Sequence, residues 1–337
     1  MTKIIRSICL FRRSYQENDL ATLNSLADEL AAKGYIIQTK RLCLASFDPA
    51  VDDAFLLKQG VLLSHGKLSC EDYQTHQFCF LNSVNRNISF DLTSEGITDK
   101  HVEVLTEIVH RKPSKTFEFT YSFNVPASSP FFPSAYYERD GFSIGLQSTD
   151  LAEGCRSLGE WLNKTKTVWA ELHGAFCERV EYLGIDSSVA PLYEGYGSLI
   201  HFIKHLKGSF DRSVLSPLYT EITNFIKTEN PKPVGLCGLM FPCLEDFELA
   251  SEYEHGNFTV ERNIFLSLHS GLGIDTYPIG IDEDKGRILD IFRLTQALSI
   301  KYKKALSVRF VSDGKAKIGE VTDFQNPYLK DVLVRKL

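Results

Sequence analysis

The densest run of residues able to do chemistry is Gly235-Leu236-Cys237-Gly238-Leu239-Met240-Phe241-Pro242-Cys243-Leu244-Glu245-Asp246. Glycines near Cys237 let the backbone take conformations closed to other residues and approach a ligand closely. A thiol in such a turn is a candidate nucleophile when a nearby base or helix N-terminus lowers its pKa. The plainer alternative is a small inert residue that permits tight packing. Glu245 and Asp246 fall where a helical pattern begins, so they either cap that helix or face a site. As neighbouring carboxylates they are also the candidate ligands for a divalent cation.

Four other clusters carry polar groups among apolar sequence. Tyr182-Leu183-Gly184-Ile185-Asp186-Ser187-Ser188 ends a strand pattern in an acid and two hydroxyls, which places Asp186 and Ser188 at the carboxyl edge of a sheet. A simple Asx or Ser turn explains them equally well. Ser270-Gly271-Leu272-Gly273-Ile274-Asp275 has the glycines of a phosphate loop but neither its full spacing nor its lysine. Asp275 is there a candidate acid, or the anchor of the turn, and His269 is the best-placed base. Phe131-Phe132-Pro133-Ser134-Ala135-Tyr136-Tyr137 offers Ser134 and Tyr136 to a pocket mouth, against the alternative of aromatic packing. Arg309 lies inside the apolar run Leu306–Val311. An arginine there pairs with an acid, binds an anion, or points to solvent from an edge, because an unpaired buried charge is costly. His201 and His205 share a helix face without the glutamate of a zinc-protease motif.

These residues are carried by short β-branched or aromatic runs alternating with helical patterns, the signature of an α/β chain. Strands are expected at Ile4–Phe11, Tyr35–Leu44, His76–Phe80, Ile88–Leu92, Phe117–Phe123, Phe142–Leu146, Glu181–Ile185, Val234–Met240, Asp275–Ile279, Leu306–Val311 and Leu329–Val334. Helices are expected at Glu17–Lys33, Val51–Leu63, Lys100–Arg111, from a Thr149 or Asp150 cap to Glu178, and at Gly197–Lys207, Val214–Lys227, Glu245–Glu254, Val260–Leu268 and Lys285–Lys304. Roughly ten strands with helices between them suit a barrel or a large wound sheet. No Pro/Gly/Ser-rich linker divides the 337 residues, so one domain is expected.

Composition narrows the function classes. Apolar residues are 43% and charged residues 24%, and 43 acids against 37 bases give a net charge of −6 without long single-sign blocks. Nothing there attracts nucleic acid or an anionic membrane. No run of about 18 apolar residues predicts a membrane span. The first residues enter a strand pattern directly, and the eight cysteines form no CxxC set. Reduced thiols in a cytoplasm are therefore expected.

The segments FFPSAYY with GFSIGLQS, YLGIDSSVAP, GLCGLMFPCLED, SGLGIDTYPIG and LSVRFVSDGKAKIGEVTDFQNPYL, in this order over residues 131 to 329, resemble the DUF711 family of uncharacterised proteins. The resemblance implies a fold related to pyruvate formate-lyase, a barrel-like α/β fold of about ten strands. It implies no glycyl-radical chemistry here, since the chain shows no glycine-radical segment in its C-terminal part and Cys237 stands alone.

Two functions follow as expectations. One is an enzyme on a small polar metabolite bearing a carboxylate or acyl group. Cys237, His269 and Asp275 would do the chemistry, and Ser134, Tyr136, Asp186, Ser188 and Arg309 would bind, with Glu245 and Asp246 free to hold a cation. The other is a sensor or assembly protein using the same pocket without turnover. Homo-oligomerisation is the general expectation for a cytosolic enzyme of this size.

Overall fold

The strand Lys3–Arg12 (β1) is buried on both faces, and its side chains alternate between two different cores. Ile8 and Leu10 join the large cluster that packs against helices. Cys9 and Phe11 join a small cluster with Cys43, Ala135 and Leu183 on the opposite face. That two-residue period is the geometry of a strand with covering on each side. The computed structural model describes residues 2–337.

The remaining strands are Tyr35–Ile37 (β2), Lys40–Leu44 (β3), Val61–Leu68 (β4), Arg86–Asp91 (β5), Phe119–Phe123 (β6), Gly141–Leu146 (β7), Tyr182–Asp186 (β8), Gly273–Pro278 (β9) and Leu306–Val311 (β10). They form one sheet of ten strands in the order β8-β7-β1-β3-β4-β5-β6-β10-β9, with β2 pairing β1. Five neighbours from β1 to β6 are mutually parallel. The pairs β7–β8 and β10–β9 run antiparallel to that block on either side. Helices fill most of the connections, as the alternating pattern predicts.

Several boundaries differ from the sequence expectation, each for a local reason. Val51–Leu63 is a short helix, Asp53–Lys58, followed by β4; Gly60 at φ +71° ends the helix and starts the strand. His76–Phe80 lies inside the helix Cys70–Asn82, which Ser69 and Asp72 close with a reciprocal capping box. The long helix after β7 starts at Leu158 on a Ser157 cap rather than at Thr149 or Asp150. Tyr35–Leu44 is two strands. Leu329–Val334 forms only a single bridge, Val321 to Leu333.

Val234–Met240 is not a regular strand. Positive φ at Gly235 (72°) and Cys237 (45°) interrupts pairing. The segment nevertheless lies between the two sheet edges. Val234 N donates to Ile185 O (3.1 Å) and Met240 N to Val189 O (3.0 Å) on the β8 side. Leu272 N donates to Leu239 O (2.9 Å) and Cys243 N to Asp275 O (2.9 Å) on the β9 side. The regular sheet itself remains open, with β8 and β9 as its edges.

The loop from β6 to β7 folds back over the non-helical face of the sheet. Ser7 Oγ and Arg41 Nη1 both donate to Pro130 O, at 2.9 and 3.0 Å. A side chain at Gly145 would come within 2.6 Å of the Phe131 ring, so only glycine lets the loop lie this close.

Candidate functional site

Beside this loop is a cavity of about 340 Å³. It is walled by the first residues of β3 to β6, by β1, β9 and β10, and by the segments 131–134, 190–191 and 236–242. Three arginines reach it. Arg6 comes from β1 and sits where pairing with β7 shifts register between Ile5 and Ser7. Arg309 comes from β10 and lines the chamber with Ser307, two residues away, in ordinary alternation; the extra residue at the shift beside it belongs to β9. The bulge at Arg6 redirects its side chain out of the ordinary alternation of β1. Arg41 belongs to the regular pairing of β1, β3 and β4.

Glu245 holds the group together. Its two carboxylate oxygens accept from Arg309 Nη2 at 2.6 Å and Arg6 Nη2 at 3.4 Å. Arg309 Nε donates to Asp275 at 2.6 Å, and Arg309 Nη1 to Phe117 O at 3.3 Å. Arg41 donates through Nε to Thr39 Oγ1 at 3.1 Å, besides its bond to Pro130 O. Three guanidinium groups thus face two carboxylates. Glu118 also lines the cavity but is paired with the buried Lys115 at 2.5 Å and adds no net charge.

The electrostatics follow from that imbalance. Burial, and then Arg6, pull the Arg41 guanidinium down to about 9, still protonated at neutral pH. Burial also lowers Arg6, with Glu245 pulling the other way. For Arg309 burial acts downward, but Asp275 and Glu245 outweigh it and the net direction is up. Burial raises Glu245, opposed first by Arg309. The chamber therefore holds more positive charge than it neutralises, and Arg6 Nε has no partner at all.

The residues singled out from sequence fall into three places. Arg309, Asp275, Glu245 and Ser134 line the cavity together. Ser134 Oγ donates to Phe131 O at 3.3 Å, within its own loop. Asp186, Ser188 and Cys237 form a separate buried knot. The Asp186 carboxylate accepts from Ser129 Oγ (2.7 Å), Ser188 N (3.0 Å) and Oγ (2.6 Å), Leu236 N (2.9 Å) and Cys237 N (3.0 Å). The Cys237 thiol, pushed up to about 11 by burial and Asp186, donates to Val234 O at 3.4 Å and is not part of the cavity wall. The third group is scattered. His269 contacts Ser270 Oγ at 2.8 Å on another helix end, and the Tyr136 ring lies under Lys67 Nζ at 3.8 Å.

Glu245 and Asp246, neighbours in sequence, part company. Asp246 turns away and accepts from Ser198 Oγ, Leu199 N, Ile200 N, Glu248 N and Leu249 N, capping two helices at once. Among the described residues no three His, Cys, Asp or Glu side chains are grouped to hold a metal ion.

Neither Arg6 nor Arg41 was singled out from sequence. Arg6, inside the apolar run of β1, carried the signal that flagged Arg309, whereas Arg41 follows Thr39 and Lys40 at the polar start of β3 and did not. What sequence could not show is that the three meet.

The family model described as Uncharacterised ACR (DUF711) matches residues 76–325, and the chain belongs to that family. The match takes in Glu245, Asp275 and Arg309; Arg6 and Arg41 lie before it. No curated protein matches the chain.

Proposed function

We propose that this member of the family binds a small carboxylate- or acyl-bearing metabolite in the three-arginine chamber, with Arg6 and Arg41 receiving the anion. The carrying observation is the excess buried positive charge together with the unpartnered Arg6 Nε. Arg309 has a structural task in this reading. Anchored on Asp275, its guanidinium fixes Glu245 against the cavity, where burial raises the proton affinity of that carboxylate. A ligand anion that takes Arg6 from Glu245 raises that affinity further, which makes Glu245 the group that would move a proton on the substrate. A nucleophilic Cys237 has less support, since its thiol is held neutral outside the chamber.

A binding-only role, as a metabolite sensor, has one observation in its favour: no Cys, His or Lys lines the chamber among the described residues. A single experiment separates the readings. Carboxylates are screened by thermal shift with each hit followed for product by NMR. Ligand stabilisation with a new product supports the enzyme; stabilisation with none after long incubation supports the sensor. If no carboxylate shifts the melting temperature, both fall.

We further read the segment 232–243 as an irregular stave that completes a barrel between β8 and β9, the form expected of a relative of pyruvate formate-lyase, within one domain. The hydrogen bonds from this segment to both edges support that reading.

A further inference from the structure

The chamber has two unlike walls. The charged wall is built by strands, from Arg6, Arg41, Asn87, Thr120 and Arg309. The other wall comes from irregular segments and is apolar: Leu236, Met240, Phe241, Pro242 and Leu272. Gly238 packs directly under Leu272, where an added Cβ would fall 2.7 Å from its side chain, so the segment is pressed against this wall. Phe132 and Phe117 line the chamber beside two of the arginines. The Arg41 guanidinium lies 4.9 Å from the Phe132 ring centre and that of Arg309 lies 5.1 Å from Phe117.

Resting on the anion-binding reading above, we propose that the ligand is an amphipathic monocarboxylate. Its carboxylate lies on Arg6 and Arg41, and a single ring-sized apolar group lies against Leu236, Met240 and Leu272. The size fits: an apolar cavity of about 150 Å³ takes one benzene, and this chamber of about 340 Å³ leaves room for a ring and a short carboxylate-bearing chain. A second charge on the ligand would sit against apolar surface with no partner, a costly arrangement. The apolar end therefore sets specificity, and the arginine end sets charge.

Calorimetric titration of the full chain with four probes tests this: 3-phenylpropanoate, its amide, glutarate and acetate. The expected order puts 3-phenylpropanoate at least about tenfold tighter than glutarate or acetate. Leu236→Asn and Met240→Gln, both at half-buried positions, weaken 3-phenylpropanoate about tenfold and leave glutarate unchanged. Glutarate binding as tightly as 3-phenylpropanoate in the parent protein overturns the amphipathic ligand while leaving the arginine site standing. Equal binding of the amide and the acid overturns the arginine reading itself, and this inference with it.

Discussion

Arg6 and Arg309 show how differently two buried guanidinium groups in one chamber are held. Arg309 has two contacts of 2.6 Å to separate carboxylates, whereas the side-chain contacts of Arg6 are 3.3 and 3.4 Å and its Nε has none. Removing Arg309 strands two buried carboxylates and costs about 3–5 kcal/mol, while removing Arg6 leaves Glu245 still paired with Arg309. Arg309→Met is therefore expected to lower stability by several kcal/mol in urea unfolding. Arg6→Met should keep or raise stability while losing carboxylate binding. Equal losses for the two variants would contradict this assignment. Cys237 gives a second test at the same scale. With its pKa pushed up to about 11, it carries about a hundredfold less thiolate at pH 8 than a free cysteine. Iodoacetamide should label the exposed Cys177 first, with Cys237 reacting only as the pH approaches 11. Labelling of Cys237 at the rate of Cys177 at pH 8 would restore the nucleophile.

At the scale of elements, two buried aspartates each tie several segments together. Asp186 links the end of β8, the loop after β6 through Ser129, and the 234–238 turn. Asp186→Ala leaves several buried N–H and O–H donors without an acceptor, each costing about 1–3 kcal/mol, and the loss at this 0% exposed position should prevent or severely weaken folding. A variant that melts within a few degrees of the parent would show the knot to be dispensable. Asp246 joins the helices Leu199–Lys207 and Phe247–Glu254. Burial raises its pKa to about 6, against the pull of Ser198 and the helix amides. A raised carboxyl pKa means the folded state keeps a proton that the unfolded state releases. Its contribution is thus fully present below about pH 4 and is lost as pH rises through 6, by about 3 kcal/mol. The pH slope of stability between 4 and 7 should be less negative in Asp246→Asn than in the parent. Superimposable slopes would remove this account.

For the whole molecule, the question is whether the edges β8 and β9 behave as edges. Backbone bonds from Val189, Met240, Leu272 and Cys243 span the gap through the segment 232–243. If the segment acts as a closing stave, those amides exchange with deuterium as slowly as those of β1 and β3, since they open only with the sheet. Exchange at the rate of surface loops would mean an open sheet with a loosely laid strip. The same measurement bears on the chamber, because that strip carries Leu236, Met240 and the approach to Glu245. No helix is long and apolar enough to cross a membrane among the described residues.

Much of this architecture was legible in the sequence. The alternation of β-branched runs with amphipathic stretches is a local property, so the α/β class, most helices and every strand but β4 followed from it, together with three runs that are not strands, as did the family from its ordered motifs. Arg309 could be recognised as a residue needing a partner, because a charge in an apolar run is a local anomaly. Its partner identities were not legible. Arg6 and Glu245 meet across 239 residues of sequence, and a register shift in β1 turns Arg6 to the chamber. Glu245 and Asp246 looked alike in sequence, yet one peptide step sends one carboxylate to the arginines and the other to two helix ends. Residue types can set which groups must be paired or buried. Only the packing of the strands, the loop after β6 and the segment 236–242 determines which of them share a chamber, since that depends on contacts no local pattern encodes.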